Sequence, residues 1–330
     1  MKRIWVHKPD HLGDAVLARP ALHTLHQAWP DALIRVACHP AAAPLLAADG
    51  FAALPWDSPF LGGAGSLRDY RRSLRDFSPD LIVNLRHDFR DILFCLALGA
   101  RRLVTYDHRG LAGLAAHAGP PPREDAGEAD NHVALLQATL KLDPVKPPPL
   151  QPTTSARKKA AAAWAQLEGD GPKIALHVAA RTSAKCWPLA HWRELIAVLQ
   201  KQSPVRLALL GEAADGEINR AIADDNKHVA DWSGRFDLDE TAAVIAQGDL
   251  LIGVDSGPGH IAKAVGTPVL SLMSGANSTV RWAPDPATAL AEPVDCAPCH
   301  RERCPVAGHP CLRGITPARV VAAVEGLVGR

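Results

Sequence analysis

Residues 249–273 read DLLIGVDSGPGHIAKAVGTPVLSLM. LLIGV is short, continuous and apolar, the pattern of a strand buried on both faces of a sheet. Ile261, Ala264 and Val265 then recur at helical spacing, Gly266 ends that helix, and PVLSLM is a second buried strand. Strand, polar turn, helix and strand in succession make one unit of a parallel sheet. Ligands of open parallel sheets sit in the crevice at the carboxyl ends of the strands. The free N–H groups of a helix start there suit an anion, a phosphate in particular. Asp255, Ser256, Gly257 and His260 occupy this turn. A helix capped by Ser256 or Asp255 with nothing bound accounts for the same residues.

The alternation extends in both directions. Buried-strand runs stand at 4–7 (IWVH), 33–37 (LIRVA), 80–85 (DLIVNL) and 102–106 (RLVTY), then at 173–178 (KIALHV), 205–210 (VRLALL), 250–254 and 268–273, with amphipathic helices between them. This pattern implies α/β architecture with parallel sheets covered by helices. Five prolines fall within 144–152, before the alanine-rich TTSARKKAAAAW, and they forbid regular structure there. The boundary is accordingly set at 150, giving two Rossmann-like doubly wound domains, 1–150 and 151–330. Facing each other, they would enclose an interdomain cleft with the DSGPGH turn on its C-terminal wall. A chain of 330 residues also exceeds the size at which one core stops growing.

Composition narrows the partners. The formal net charge of +1 gives no global field that would draw nucleic acid or a membrane. MKRIWVHKPD reads as the start of a strand rather than a signal sequence, and no apolar run approaches the roughly 18 residues of a spanning helix. The expectation is a soluble, cytoplasmic protein. Seven cysteines in so long a chain do not form a disulfide scaffold.

Three further junctions carry polar residues where a strand gives way to a helix. After the first strand comes HKPDHLGD, then a helix with Val16, Leu17, Leu22 and Leu25 on its apolar face, ending before Pro30. Gly13 allows a tight turn and Asp14 sits at the helix start, where a carboxylate either takes a proton from a hydroxyl or caps the helix. In HVAARTSAKCWPLAHWREL, Ser183, Lys185 and nearby backbone donors can reach a diphosphate, Lys185 as a mobile point charge, or Lys185 is solvated surface. In LLGEAADGEINRAIA, Glu212 or Glu217 can take two ribose hydroxyls, or merely complement a helix dipole.

Together, LGD-x5-P followed by LHTLHQAWPDALI, K-x-WP followed by HWREL, and GVDSGPGHIAKAVGTPV resemble glycosyltransferase family 9, the ADP-heptose:lipopolysaccharide heptosyltransferases. The resemblance runs along nearly the whole chain, and the loop before Lys185 with the cysteine-rich C-terminal segment is most similar to the branch that adds the second core heptose. Cys186 departs from the pattern, standing where many relatives carry Arg. The resemblance implies a GT-B fold whose N-terminal domain binds the acceptor and whose C-terminal domain binds the nucleotide sugar. It implies Asp14 as general base, Lys185 as partner of the departing diphosphate, and Ser183, Glu217, Asp255, Ser256, Gly257 and His260 around the donor. It further implies an ADP-sugar donor, a lipopolysaccharide-core acceptor, an inverted product and no catalytic metal. Other acceptors, a protein among them, or another nucleotide sugar keep the chemistry. An epimerase, a hydrolase or a silent binding protein keeps only the architecture.

Two features stand beside this reading. Cys296, Cys299, Cys304 and Cys311 in CAPCHRERCPVAGHPC are spaced closely enough to share one ion, and tetrahedral sulfur ligation points to zinc or iron. The related protein-modifying heptosyltransferases, which hold iron in a cysteine finger, are similar in this. Four reduced cysteines in a loop are the alternative. In SLRDYRRSLRDF, Arg68, Arg71, Arg72 and Arg75 recur at helical spacing. They form a solvated face paired with Asp69 and Asp76, or meet an anionic acceptor at the inner face of the inner membrane.

Overall fold

The computed structural model describes residues 1–328 apart from 99–101, 111–116, 203, 224–225 and 227. The chain divides into two compact units, Met1–Pro148 and Pro149–Arg330.

The first unit holds β1 (Arg3–Lys8), β2 (Leu33–Cys38), β3 (Ala52–Pro55), β4 (Leu81–Asn84), β5 (Leu103–Tyr106) and β6 (His117–Gly119). The second holds β7 (Lys173–His177), β8 (Arg206–Leu210), β9 (Val229–Asp231), β10 (Leu250–Val254), β11 (Val269–Met273) and β12 (Ala289–Ala291). All the pairings are parallel. The sheet orders are β3-β2-β1-β4-β5-β6 and β12-β11-β10-β7-β8-β9. Counted from its own first strand, each sheet runs 3-2-1-4-5-6, the dinucleotide-fold order, and each reverses direction between its first and fourth strands. The crevice available to a ligand therefore lies beyond β1 and β4 in one unit, and beyond β7 and β10 in the other.

Alternation along the central strands feeds two cores in the first unit. Ile4 and Val6 of β1 and Leu81 and Val83 of β4 join Leu22, Leu25, Leu135 and Leu136 on one face. Trp5 and Ile82, one residue out of phase, join Tyr70, Leu74, Phe77 and Cys95 on the other. Each strand is thus apolar in both directions, which is why it reads as a continuous run. In the second unit Ile174, Leu176, Leu207, Leu209, Leu250 and Ile252 pack with Trp192, Leu195 and Leu199 of the helix Leu189–Gln202. Val320 and Val324 of Pro317–Val328 complete this core.

One element departs from the sequence reading. The expected single helix before Pro30 is two, Leu12–Leu17 and Arg19–Ala28, stepping at Ala18. Pro20 has no N–H to give to the preceding turn, so the first helix stops short.

Candidate active site

The crevice of the first unit is built from charges that the sheet forces together. Lys8 ends β1 and is 2% exposed. The chain then turns through Pro9 and Asp10 into Leu12–Leu17, which carries Asp14 in its first turn. Lys8 Nζ lies 2.9 Å from Asp10 Oδ2 and 3.7 Å from Asp14 Oδ1. From beyond β4, Arg86 Nε reaches Asp10 Oδ1 at 3.0 Å and Asp91 Oδ2 at 3.3 Å. Asp91 Oδ1 is held by His7 Nε2 at 2.8 Å, His7 Nδ1 by the Tyr70 hydroxyl at 2.7 Å, and Trp5 Nε1 donates to that hydroxyl at 2.7 Å. A chain of polar contacts therefore runs from the dry core to the mouth of the site.

These contacts separate the two carboxyls. Burial works to raise Asp10, but the Lys8 and Arg86 cations outweigh it and hold Asp10 below its usual range. At Asp14 burial is the largest effect, Asp10 and Glu128 add to it, and Lys8 and Arg86 oppose it only in part. Asp14 is pushed up to about 6, the range of a working general base.

The second crevice assembles around Asp255, at the end of β10 and 7% exposed. Lys185 Nζ approaches Asp255 Oδ2 at 2.8 Å, and Asn277 Nδ2 donates to the same oxygen at 2.7 Å. Asp255 is thus held by two loops, those following β7 and β11. The helix Gly257–Val265 starts directly after it. His260, 5% exposed on that helix, is pushed down to about 4 by burial and by Lys185, against Asp255, and so is neutral near pH 7. A cation, a helix start and a neutral imidazole at one strand end can receive a diphosphate.

The structure brings Asp255, Ser256, Gly257, His260 and Lys185 to one place. Glu217 lies in the first turn of Gly216–Ala223, exposed and without an ion pair among the described residues. Glu212 is tied into a local turn, its N–H donating to Asp215 Oδ2 at 2.8 Å. The Ser183 hydroxyl donates to Glu302 O at 3.4 Å, toward the cysteine-rich segment. Asn277 and His177 were not singled out from sequence: Asn277 lies in the loop after β11 and His177 is the last residue of β7, polar positions at the same end of the sheet as Asp255.

Cys296, Cys299, Cys304 and Cys311 line one cavity of about 40 Å³, with Ala184, Gly275, Ala276 and His309 also in its wall. The donor set suits a soft ion, and all four thiols are free of disulfides. Among the described residues no three His, Cys, Asp or Glu side chains already stand in a metal-holding arrangement. Burial pushes the Cys311 thiol up. The segment also braces the loops after β7 and β11, since Ala184 N donates to Glu302 O at 3.0 Å and Cys299 N to Gly275 O at 2.8 Å.

Arg72 pairs with Asp69 at 3.6 Å. Arg68, Arg71 and Arg75 line a groove with Leu67, Leu74 and Leu98, and have no carboxylate partner among the described residues. No helix among the described residues is long and apolar enough to cross a membrane.

Paired doubly wound sheets of equal order, each with its polar groups at the switch point, are the two halves of a GT-B glycosyltransferase. The chain belongs to glycosyltransferase family 9 (heptosyltransferase), whose profile matches residues 67–309. It is 28% identical over 296 residues to lipopolysaccharide heptosyltransferase 3 of Escherichia coli strain K12, covering 82% of each chain. A family 9 glycosyl transferase structure from Veillonella parvula superposes with a TM-score of 0.82 at 19% identity, covering 99% of this chain and 97% of that one. The E. coli ADP-heptose lps heptosyltransferase II structure superposes at 0.74 with 23% identity, covering 99% and 98%. The structures speak to the fold alone. The E. coli relative carries a heptosyltransferase 3 name, and lipooligosaccharide heptosyltransferase 2 of Campylobacter jejuni, 22% identical over 151 residues and covering 44% of this chain and 47% of that one, carries the name of the second-heptose branch.

Proposed function

We propose that this glycosyltransferase moves heptose from ADP-heptose to a lipopolysaccharide inner-core acceptor, with inversion at the anomeric carbon. The observation that carries the reading is the division of labour between the crevices: a carboxyl pushed up to about 6 at Asp14, and Lys185 with a helix start at Asp255. The acceptor hydroxyl oxygen bonds to the anomeric carbon as the bond from that carbon to the β-phosphate oxygen breaks. Asp14 takes the hydroxyl proton, and the electron pair of the broken bond leaves on ADP. Charge grows on the diphosphate as it departs, and Lys185 and the Gly257–Val265 helix start stabilise it without waiting for solvent to reorganise. One displacement at one carbon inverts the anomer.

Glu217 is assigned to the ribose of the donor and Ser183 to its diphosphate loop. The first unit is assigned the acceptor, and the second the nucleotide sugar. The reaction is placed in the cytoplasm, with Arg68, Arg71 and Arg75 offered to the phosphates of an acceptor at the membrane surface. No step requires a metal; zinc or iron held by Cys296, Cys299, Cys304 and Cys311 would brace the loops around Ala184 and Gly275.

ADP release from ADP-heptose, followed with and without a deep-rough core acceptor, tests the proposal. Release that depends on acceptor, with a product of inverted anomeric configuration, is expected. Equal release without acceptor would make the protein a hydrolase, and conversion of the sugar without ADP release would make it an epimerase.

A further inference from the structure

Ser256 stands immediately before the Gly257–Val265 helix, where a serine ordinarily accepts a hydrogen bond from the backbone N–H two or three residues ahead. Pro258 has no N–H, so a cap here would have to take Gly259. Ser256 does not take it. Its backbone is extended as a capping residue's should be, yet its side chain makes no capping bond. The Gly259 N–H donates instead to the Ser256 carbonyl at 3.2 Å, the long bond of a tightened first turn.

The hydroxyl is turned the other way. Ser256 Oγ lies 2.9 Å from His177 Nδ1 and 3.1 Å from Val254 O. A hydroxyl has one hydrogen, and a carbonyl can only accept. Giving that hydrogen to Val254 leaves Oγ to accept from His177 Nδ1–H, which satisfies all three groups. Burial pushes the His177 imidazole down to about 4, against an opposing effect of Asp215, so it acts here as a neutral donor.

Its place is prepared in the neighbouring strand. Gly253 pairs in register with His177, inside a strand buried at all five positions. A Cβ on Gly253 would come within 3.2 Å of His177 O and 3.4 Å of His177 Cβ. Glycine weakens a strand interior and marks close approach of another group, and the group it admits here is His177.

We propose that His177 is a positioning residue of the donor site: by holding the Ser256 hydroxyl back against the strand, it keeps the helix start free of a side-chain cap and leaves the Gly259 N–H, held only by its 3.2 Å bond to the Ser256 carbonyl, able to turn to the donor diphosphate. This rests on the reading of the turn as the ADP-sugar site. A diphosphate and a serine cap compete for the Gly259 N–H, and His177 settles the competition before the ligand arrives.

Calorimetric titration with ADP tests it on the full chain. His177→Leu should weaken ADP binding roughly fivefold, the share a side-chain cap of ordinary strength would claim. Adding Ser256→Ala to His177→Leu should recover most of that loss, because no hydroxyl is left to cap. His177→Asn, which offers an amide near the position of Nδ1, should bind close to wild type. In ligand-free protein, amide exchange at Gly259 should slow in His177→Leu and return to the wild-type rate in the double variant. Unchanged ADP affinity in His177→Leu, or a double variant no better than the single, overturns the proposal. If the wild type itself binds no ADP, the donor reading fails, and Gly259 exchange alone decides the role of His177. Should His177→Leu not fold, Gly253→Ala, which crowds His177, takes its place: slower Gly259 exchange and weaker ADP binding are expected, and no change in either overturns the proposal.

Discussion

Lys185 Nζ and Asp255 Oδ2 stand 2.8 Å apart, joining the loop after β7 to the end of β10. The lysine proposed to meet the diphosphate is thus held by a carboxylate before any ligand arrives. An ammonium has three hydrogens, and one given to Asp255 leaves two for phosphate oxygens. The ion pair fixes a flexible side chain at the strand end, so that less ordering remains to be done on binding.

Lys185→Ala removes that charge and leaves Asp255 with Asn277. Transition-state stabilisation should fall by roughly 2.7–4 kcal/mol, the range for loss of one preorganised donor to a developing anion, and ADP affinity should fall with it. Steady-state kinetics beside ADP titration would show this. Were both unchanged, Lys185 would serve only to neutralise Asp255.

Asp14→Asn should cut turnover by roughly 10²–10⁴, as loss of a general base does, with ADP affinity within a few-fold of wild type. The same variant should be more stable above pH 6. The folded carboxyl sits at about 6 against an ordinary 3.8, so the folded state binds its proton more tightly than the unfolded chain does. Its contribution to stability is present below about pH 4 and lost as pH rises through 6, and asparagine does not suffer that loss. A gain of on the order of 1–3 kcal/mol at pH 8 follows from a shift of this size. Urea unfolding of both proteins at pH 5 and pH 8 measures it, and equal stabilities at pH 8 would contradict the assignment.

The pH dependence of kcat/KM should show an acid limb near 6, with activity rising as Asp14 loses its proton. Asp10→Asn should move that limb lower by about one unit, because it removes a neighbouring negative charge and frees Lys8 to turn toward Asp14. A limb that stays in place would mean that Asp14 is not the titrating group.

Cys299→Ser together with Cys304→Ser should lower the melting temperature and leave the residual activity dependent on Asp14. Elemental analysis of freshly purified, reduced protein should find close to one zinc or iron per chain. Less than about a tenth of an equivalent would reject the bound ion, given the tight binding of four-thiolate sites, and leave the cavity to reduced thiols.

The strands that sequence revealed and those it hid differ by position in the sheet. Each of the eight apolar runs is an inner strand of one of the two sheets. The four strands without such a run, β3, β6, β9 and β12, are the sheet edges, three or four residues long and largely half-buried. An edge strand covered on fewer sides has no need of a continuous apolar stretch, so AALP, HAG, VAD and ALA carry no signal above that of a loop. The candidate site divides in a similar way. Asp14, Lys185 and Asp255 are polar interruptions of regular patterns and stand out. Asn277 sits in a loop whose course depends on the cysteine-rich segment, and His177 looks like the tail of a strand until Gly253 is seen beside it. Asp10 and Arg86 act through pairing across β1 and β4, which local sequence does not encode.

That strand order also sets when the protein becomes able to work. In each unit the polar crevice is bounded by the first and fourth strands, which are neighbours in the sheet but not in the chain. Asp10 meets Arg86 only after the chain has passed through β2 and β3, and Ser256 meets His177 only after it has passed through β8 and β9. Such distant parallel pairing closes slowly. A chain still emerging from the ribosome therefore displays Asp10 without Arg86, and Ser256 only once His177 is long made, so that a half-made unit has no finished crevice.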